Sequence, residues 1–175
     1  EKSLACKNHG KKTKKKQMPK VKKVGVVVDD LSASQLSYHV IKNINNHVEE
    51  SDTDFVAFFQ NSTASMLPMH FSSMCINEVW NFDGAVIATS VSTVLSISKT
   101  FSPKQKYFYV WDLEWCRTKG REFEYIIQAF NKDDIKLIAR SKDYAKAIKN
   151  YCNKDVVGVI DNFNIKQLMD IINHE

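Results

Sequence analysis

Short apolar runs alternate with helical patterns along most of the chain. The runs are rich in β-branched and aromatic residues, which is typical of strands covered on both faces of a sheet. They predict six strands, at residues 24–28, 55–59, 85–88, 107–111, 136–139 and 156–160. The segments between and after them predict helices at 34–47, 91–99, 121–131, around 144–151 and at 165–173, with a further short helix at 71–80.

This alternation predicts an α/β fold. With right-handed crossovers, the simplest assembly is a single Rossmann-like, doubly wound and mainly parallel sheet of about six strands, with helices on both faces. A length of 175 residues fits one domain, which we place at 24–175. The pattern does not determine the order of the strands.

One stretch, Lys106 to Trp115, runs from a buried strand directly into a polar and aromatic loop. In open α/β sheets, ligands bind outside the carboxyl ends of the strands, so polar residues at these ends are candidates for a site. The candidates are Asp29, Asp30, Ser32, Ser90, Trp111, Asp112, Glu114, Trp115, Arg140 and Asp161.

Several of these residues also have an ordinary structural interpretation. Ser90 is well placed to cap the helix that follows it. Asp112 can cap a turn, and Glu114 can pair with a lysine. Of the two tryptophans, Trp111 and Trp115, one can stack on a sugar or a base, but at least one is expected in the core.

The motifs of several common α/β proteins are missing. The turn after Asp29 and Asp30 has neither Gly-x-Gly-x-x-Gly nor Gly-Lys-Ser/Thr, so no dinucleotide or nucleoside triphosphate site is indicated. A receiver domain needs a phospho-accepting Asp after its third strand, where this chain has Ser90, and a Lys after its fifth, where it has Arg140. Phosphotransfer signalling is therefore disfavoured.

The charge of the chain is unevenly distributed. Residues 1–23 carry ten lysines and one acid, whereas the rest of the chain has a small excess of acids. Residues 1–23 also contain few apolar residues, too few to offset the entropy lost when a chain becomes ordered. The sequence therefore predicts that this segment is a flexible arm. One interpretation is a solubilising leader or linker. The other is a contact with nucleic acid, made by the densest lysine run, Lys11, Lys12, Lys14, Lys15 and Lys16.

Cysteine usage and hydropathy indicate the compartment. The four cysteines, Cys6, Cys75, Cys116 and Cys152, are scattered, which fits a reducing environment. Cys6 and His9 make half of a zinc site with no second pair, so no metal site is predicted. No run approaches the roughly 18–20 apolar residues of a membrane span, and a cytoplasmic location is expected.

Five segments carry a resemblance to a known family: VGVVVDDLSASQLSYHVI, FDGAVIATS, YFYVWDLEW, LIARSKDYAKAI and VVGVIDNFN. Over about residues 24–164 they resemble the amino-terminal, acceptor-side Rossmann-like domain of two-domain (GT-B) glycosyltransferases. That family includes bacteriophage enzymes that glycosylate modified DNA bases. The resemblance implies a nucleotide-sugar as co-substrate and an acceptor that is a sugar or a modified DNA base. For a viral protein it implies the host cytoplasm.

The resemblance also implies roles for particular residues. Asp112 matches the acid that serves some phage enzymes as general base, and other strand-end residues would shape the acceptor pocket. In this family the donor binds mainly to a second Rossmann-like domain, for which no motif is found here. The expectation is therefore that the donor-binding half is missing or is supplied by a further domain or a partner chain.

Two functions remain open from the sequence. The first is a glycosyltransferase-like domain that binds an acceptor, with Asp112 as base. The second is a non-catalytic α/β binding or regulatory module with a basic tail that contacts nucleic acid.

Overall fold

The computed structural model describes residues 21–174. The lysine run at 11–16, with Cys6 and His9, lies outside the described residues. The folded part begins before the predicted boundary at residue 24. The backbone N–H of Val21 donates to Asn173 Oδ1 over 2.9 Å, and Lys23 already belongs to the first strand.

The described chain forms one sheet of seven strands, in which every neighbouring pair is parallel. The strands are β1 (Lys23–Val28), β2 (Asp54–Phe59), β3 (Ser72–Cys75), β4 (Ala85–Ala88), β5 (Gln105–Val110), β6 (Lys136–Ala139) and β7 (Gly158–Val159). The helices are α1 (Gln35–Val48), α2 (Val91–Ile97), α3 (Arg121–Phe130), α4 (Lys142–Cys152) and α5 (Ile165–His174). This confirms the predicted Rossmann-like α/β fold.

The order of the strands across the sheet is β3-β2-β1-β4-β5-β6-β7. The chain builds outward from β1 to one edge and then returns to build outward from β4 to the other. The reversal falls between β1 and β4, which are neighbours in the sheet. This is the topological switch point, where open α/β sheets leave a crevice for a ligand.

The two faces of the sheet carry separate cores. α1 and α5 cover one face, and α2, α3 and α4 cover the other. Strand β1 contributes to both, because successive side chains of a strand point to opposite faces. Val26 packs with α1 and α5, whereas Val27 packs into the core on the opposite face.

The predicted short helix at 71–80 is wrong. Residues Ser72–Cys75 form β3, which pairs in parallel with β2, and a 3₁₀ turn follows at Ile76–Asn81. All four residues of β3 are exposed at the edge of the sheet. An edge strand need not bury side chains, so its sequence, Ser-Ser-Met-Cys, lacks the apolar run by which the other strands were predicted.

The predicted strand at 156–160 is shorter than expected, with only Gly158–Val159 in β7. Two flanking hydrogen bonds extend its pairing with β6, from the N–H of Val157 to the Leu137 carbonyl and from the N–H of Ile160 to the Ala139 carbonyl. This strand forms the other edge of the sheet. Among the described residues, no helix has the length and apolarity needed to cross a bilayer.

The packing predicts which phenylalanine matters for stability. Phe108 on β5 is 1% exposed, and its ring centroid lies 5.0 Å from that of Phe130 on α3. We expect Phe108→Ala to lower the free energy of unfolding by about 3–5 kcal/mol, because it leaves a cavity under α3. Urea unfolding followed by circular dichroism measures this decrease.

Phe101 provides the matched control, since its side chain is 90% exposed. Phe101→Ala should change the free energy of unfolding by no more than about 0.5 kcal/mol. Equal decreases for the two variants would contradict the assignment of Phe108 to the core.

Candidate functional site

The switch point brings together three of the predicted site residues, Asp29 after β1, Ser90 after β4 and Glu114 in the loop after β5. We call them the switch-point cluster. The Ser90 hydroxyl donates to Asp29 Oδ1 over 3.0 Å, and the backbone N–H of Val91 donates to Glu114 Oε1 over 3.0 Å. The start of α2 therefore links the ends of three strands.

Ser90 is also the helix cap that the sequence suggested. Its hydroxyl oxygen accepts the backbone N–H of Thr93 over 3.2 Å, and the Thr93 hydroxyl oxygen accepts the backbone N–H of Ser90 over 3.0 Å. This reciprocal pair is a capping box, which satisfies N–H groups left open at a helix start. Thr89, one residue earlier, donates its hydroxyl to the carbonyl of Val27 over 2.8 Å and ties β4 to β1.

The two carboxyl groups of the cluster have raised pKa values. Burial raises the pKa of Asp29; the hydrogen bond from Ser90 opposes this rise, and the nearby charge of Asp30 adds to it. Burial also raises the pKa of Glu114, opposed by the Val91 N–H and increased by the charge of Asp29. Both acids hold a proton more tightly than a solvent-exposed carboxyl group does.

Asp30 and Ser32 organise the loop between β1 and α1. The backbone N–H and the hydroxyl of Ser32 both donate to Asp30 Oδ1. The Ser37 hydroxyl donates to the carbonyl of Asp30 over 3.0 Å, and the hydroxyl oxygen of Ser34 accepts the N–H of Ser37 as the cap of α1. These contacts fix where α1 starts.

Asp112 has a different partner. Its carboxylate forms an ion pair with Arg117, and the Asp112 side chain is 43% exposed. Both residues flank the 3₁₀ turn Glu114–Cys116. Asp112 thus pairs with an arginine across this turn, and the start of the turn has no side-chain cap. Glu114 binds a backbone N–H rather than the lysine that the sequence suggested as an alternative.

The two tryptophans of this loop have separate roles. Trp115 is 6% exposed and packs edge to face on Phe130, with ring centroids 4.8 Å apart. It belongs to the core, so its prediction as a ligand-binding residue is corrected. Trp111 is half-buried and carries the guanidinium of Arg140 on its ring, with the guanidinium carbon 3.9 Å from the ring centroid.

Further strand-end residues, Arg140 and Asp161, lie near Tyr109. Its hydroxyl donates to the carbonyl of Ile160 over 2.8 Å and accepts the N–H of Phe163 over 3.2 Å. Burial raises the pKa of Tyr109 to about 12, with Arg140 opposing and Asp161 adding to the rise. Asp161 is exposed at the start of the 3₁₀ turn Asp161–Phe163 and lines a polar groove of about 620 Å³ against α1.

A second cavity, of about 480 Å³, lies at the carboxyl edge and includes residues that the sequence did not suggest. Tyr38 and His39 line it together with Arg140. They belong to the first turns of α1, a helix that begins shortly after the carboxyl end of β1. Their closeness to a strand end in the sequence could have marked them as candidate site residues. Among residues 21–174, no group of His, Cys, Asp or Glu has an arrangement that could hold a metal ion.

The raised pKa of Glu114 predicts a pH-dependent stability. Because the folded-state pKa lies above the unfolded one, the contribution of this group is fully present below the unfolded pKa and is lost as pH rises through the folded pKa. Glu114→Gln keeps an oxygen for the Val91 N–H and has no charge to bury. Its free energy of unfolding should therefore rise relative to that of the wild type as pH increases from about 4 to about 7.

Urea unfolding at a series of pH values measures this difference. Glu124→Gln, on the exposed side of α3, is the matched control and should differ from the wild type by an amount that hardly changes with pH. A flat difference for Glu114→Gln as well would mean that the Glu114 carboxylate is not penalised by burial.

Known proteins do not identify this site. Comparisons of the chain with protein-family models, with curated proteins and with solved structures found no significant match. Its chemistry is therefore argued from its own residues.

Proposed function

We propose that this chain is the acceptor-binding domain of a glycosyltransferase, with a nucleotide-sugar donor held by a further domain or a partner chain. One observation carries the proposal: a half-buried carboxyl group, Asp29, lies 3.0 Å from the Ser90 hydroxyl at the switch point of a Rossmann-like sheet. Ligands of such sheets bind at this point. The resemblance of the strand motifs to acceptor-side domains supports the same class.

The proposed reaction needs one proton acceptor. An acceptor hydroxyl attacks the anomeric carbon of the donor sugar, the bond from that carbon to the nucleoside diphosphate breaks, and the hydroxyl proton passes to a carboxylate. We assign this carboxylate to Asp29. Burial raises its pKa towards the working pH, which makes it a stronger base than an exposed aspartate, and general base catalysis contributes about 10²- to 10⁴-fold in rate.

Asp112 is the competing candidate, favoured by the resemblance alone. Its carboxylate is engaged by the Arg117 guanidinium, which competes with any acceptor hydroxyl for its oxygen atoms. Glu114 is assigned a positioning role, since it holds the Val91 N–H at the start of α2. Asp29 lies at the switch point and has a raised pKa, so it is assigned as the base.

A non-catalytic binding module is the second candidate, and one observation favours it. Each member of the switch-point cluster already has a structural partner: Ser90 bonds Asp29 and caps α2, and Glu114 accepts a backbone N–H. Such contacts are sufficient to explain these residues without chemistry.

A transfer assay separates the two candidates. The protein as expressed from its gene, with any chain that co-purifies with it, is mixed with nucleotide-sugars and with acceptors that include free sugars and hydroxymethylated DNA, and release of nucleoside diphosphate is measured. We expect at least one donor and acceptor pair to react, and Asp29→Asn to lower the rate about 10²- to 10⁴-fold. Asp112→Asn, the matched control, should lower it far less.

Two results would contradict this proposal. If no pair reacts above the spontaneous rate, the binding module is favoured. If Asp112→Asn abolishes the reaction and Asp29→Asn keeps it, the base is Asp112 and the assignment made from burial is wrong.

The basic arm gives a separate prediction for the nucleic-acid contact. Replacing Lys11, Lys12, Lys14, Lys15 and Lys16 with serine keeps the length of the arm and removes its densest charge. If these lysines neutralise DNA phosphates, the negative slope of log affinity against log salt should become shallower in the variant. The expected decrease in its magnitude is about 0.9 for each phosphate contact that is lost. Fluorescence anisotropy with a duplex oligonucleotide at several salt concentrations measures it, and an unchanged slope would mean that the arm does not bind DNA.

A further inference from the structure

Among the described residues, Arg140 is a cation without an acidic partner. It follows β6 at the carboxyl edge, and its guanidinium stacks on Trp111. Within residues 21–174 it makes no hydrogen bond or ion pair with another side chain or with the backbone. Asp161 is close enough to affect the same Tyr109 hydroxyl, yet it lines the neighbouring groove and forms no ion pair with Arg140.

The cavity beside Arg140 has the size of a small-molecule site. Its volume of about 480 Å³ lies within the range of roughly 300–1,000 Å³ that such sites occupy. Its lining includes Ser34, Gln35, Tyr38, His39, Met66 and Arg140. Of the described residues that line it, none is acidic, so its electrostatic character is set by the arginine.

Further hydrogen-bond donors face the same space. The Tyr38 hydroxyl accepts a hydrogen bond from Lys42 Nζ over 3.3 Å, which leaves its own proton free to donate to a ligand. The first turn of α1 contains no acid, and its cap Ser34 accepts only the N–H of Ser37, so the N–H groups of Gln35 and Leu36 have no partner within the helix. Gln35, the first residue of α1, lines the cavity.

We infer that this cavity binds the phosphate group of a small phosphomonoester, through the guanidinium fork of Arg140 and the hydroxyl of Tyr38. Stacking on Trp111 holds the guanidinium flat and leaves its N–H edge for the anion, a geometry that suits bidentate binding of phosphate. Arg140 follows β6 and Tyr38 belongs to α1, so the two donors come from different elements of the fold. The inference is independent of the proposed sugar transfer.

Direct binding tests it on the full chain. Glucose 6-phosphate, AMP and inorganic phosphate are titrated and compared with glucose and adenosine, the neutral counterparts, by isothermal titration calorimetry. We expect at least one phosphate compound to bind saturably and at least about 10-fold more tightly than its neutral counterpart, as loss of charge-assisted hydrogen bonds predicts. The arm is present in every variant, so its lysines contribute equally when the variants are compared with one ligand.

Variants locate the binding. Arg140→Gln should weaken phosphate binding about 10-fold or more, and Arg140→Lys should not restore it, because lysine lacks the planar fork. Tyr38→Phe should weaken it less. Arg121→Gln, which removes the same charge from an exposed position at the start of α3, is the control and should bind as the wild type does.

Three outcomes would overturn the inference: no saturable binding of any of the three phosphate compounds, equal binding of the neutral counterparts, or equally weakened binding in Arg140→Gln and Arg121→Gln. Circular dichroism checks that each variant is folded. If a variant does not fold, charged and neutral ligands are compared on the chain in which Lys11, Lys12, Lys14, Lys15 and Lys16 are serine, so that the densest charge of the arm cannot supply the difference. Because this assay measures no turnover, its failure leaves the sugar-transfer proposal standing.

Discussion

The pairing of β1 with β4 is the constraint on which the rest of the structure depends. It brings two strands that are distant in sequence side by side, in a register that matches Val24 with Ala85 and Val27 with Ala88. The approach is close enough to require glycine just before β4. A Cβ on Gly84 would lie 2.3 Å from the backbone oxygen of Lys23, far inside van der Waals contact.

This pairing has a direct consequence for the site. Since β1 and β4 are parallel neighbours, the segments that follow them leave the sheet at the same edge and at adjacent points. The helices that follow pack on opposite faces, so the gap between their starts is not filled by either one. Asp29 and Ser90 meet at this gap through their hydrogen bond, and partial burial there raises the pKa of Asp29.

The sequence was sufficient to predict the strands that are buried, because burial requires apolar residues. Strands such as β4 and β6 are buried almost throughout, and their apolar runs predicted them with the observed bounds. The edge strands were predicted poorly for the same reason. β3 buries none of its residues and was mistaken for a helix, and β7 pairs along one side only, so its apolar run overstates its length.

The site was harder to predict than the fold, because its contacts join residues far apart in the chain. The sequence correctly indicated that polar residues follow the strands. Which of them are in contact depends on the folded arrangement, in which Asp29 bonds Ser90 and Asp112 pairs with Arg117. Trp111 and Trp115 occur in one short loop with similar neighbours. Their different roles depend on Arg140 and Phe130, which belong to other elements.

The two proposed subsites differ in charge, and that difference orients a ligand. Acids stand at the switch point, whereas the cavity at the start of α1 has a cation and no acid in its lining. The six-residue loop from Asp29 to Ser34 joins them, and its five residue-to-residue steps reach no more than roughly 18 Å. A single small ligand with a phosphate at one end and a hydroxyl at the other would therefore place its phosphate at Arg140 and its hydroxyl towards Asp29. Reversed, its phosphate would face the carboxylates and be repelled.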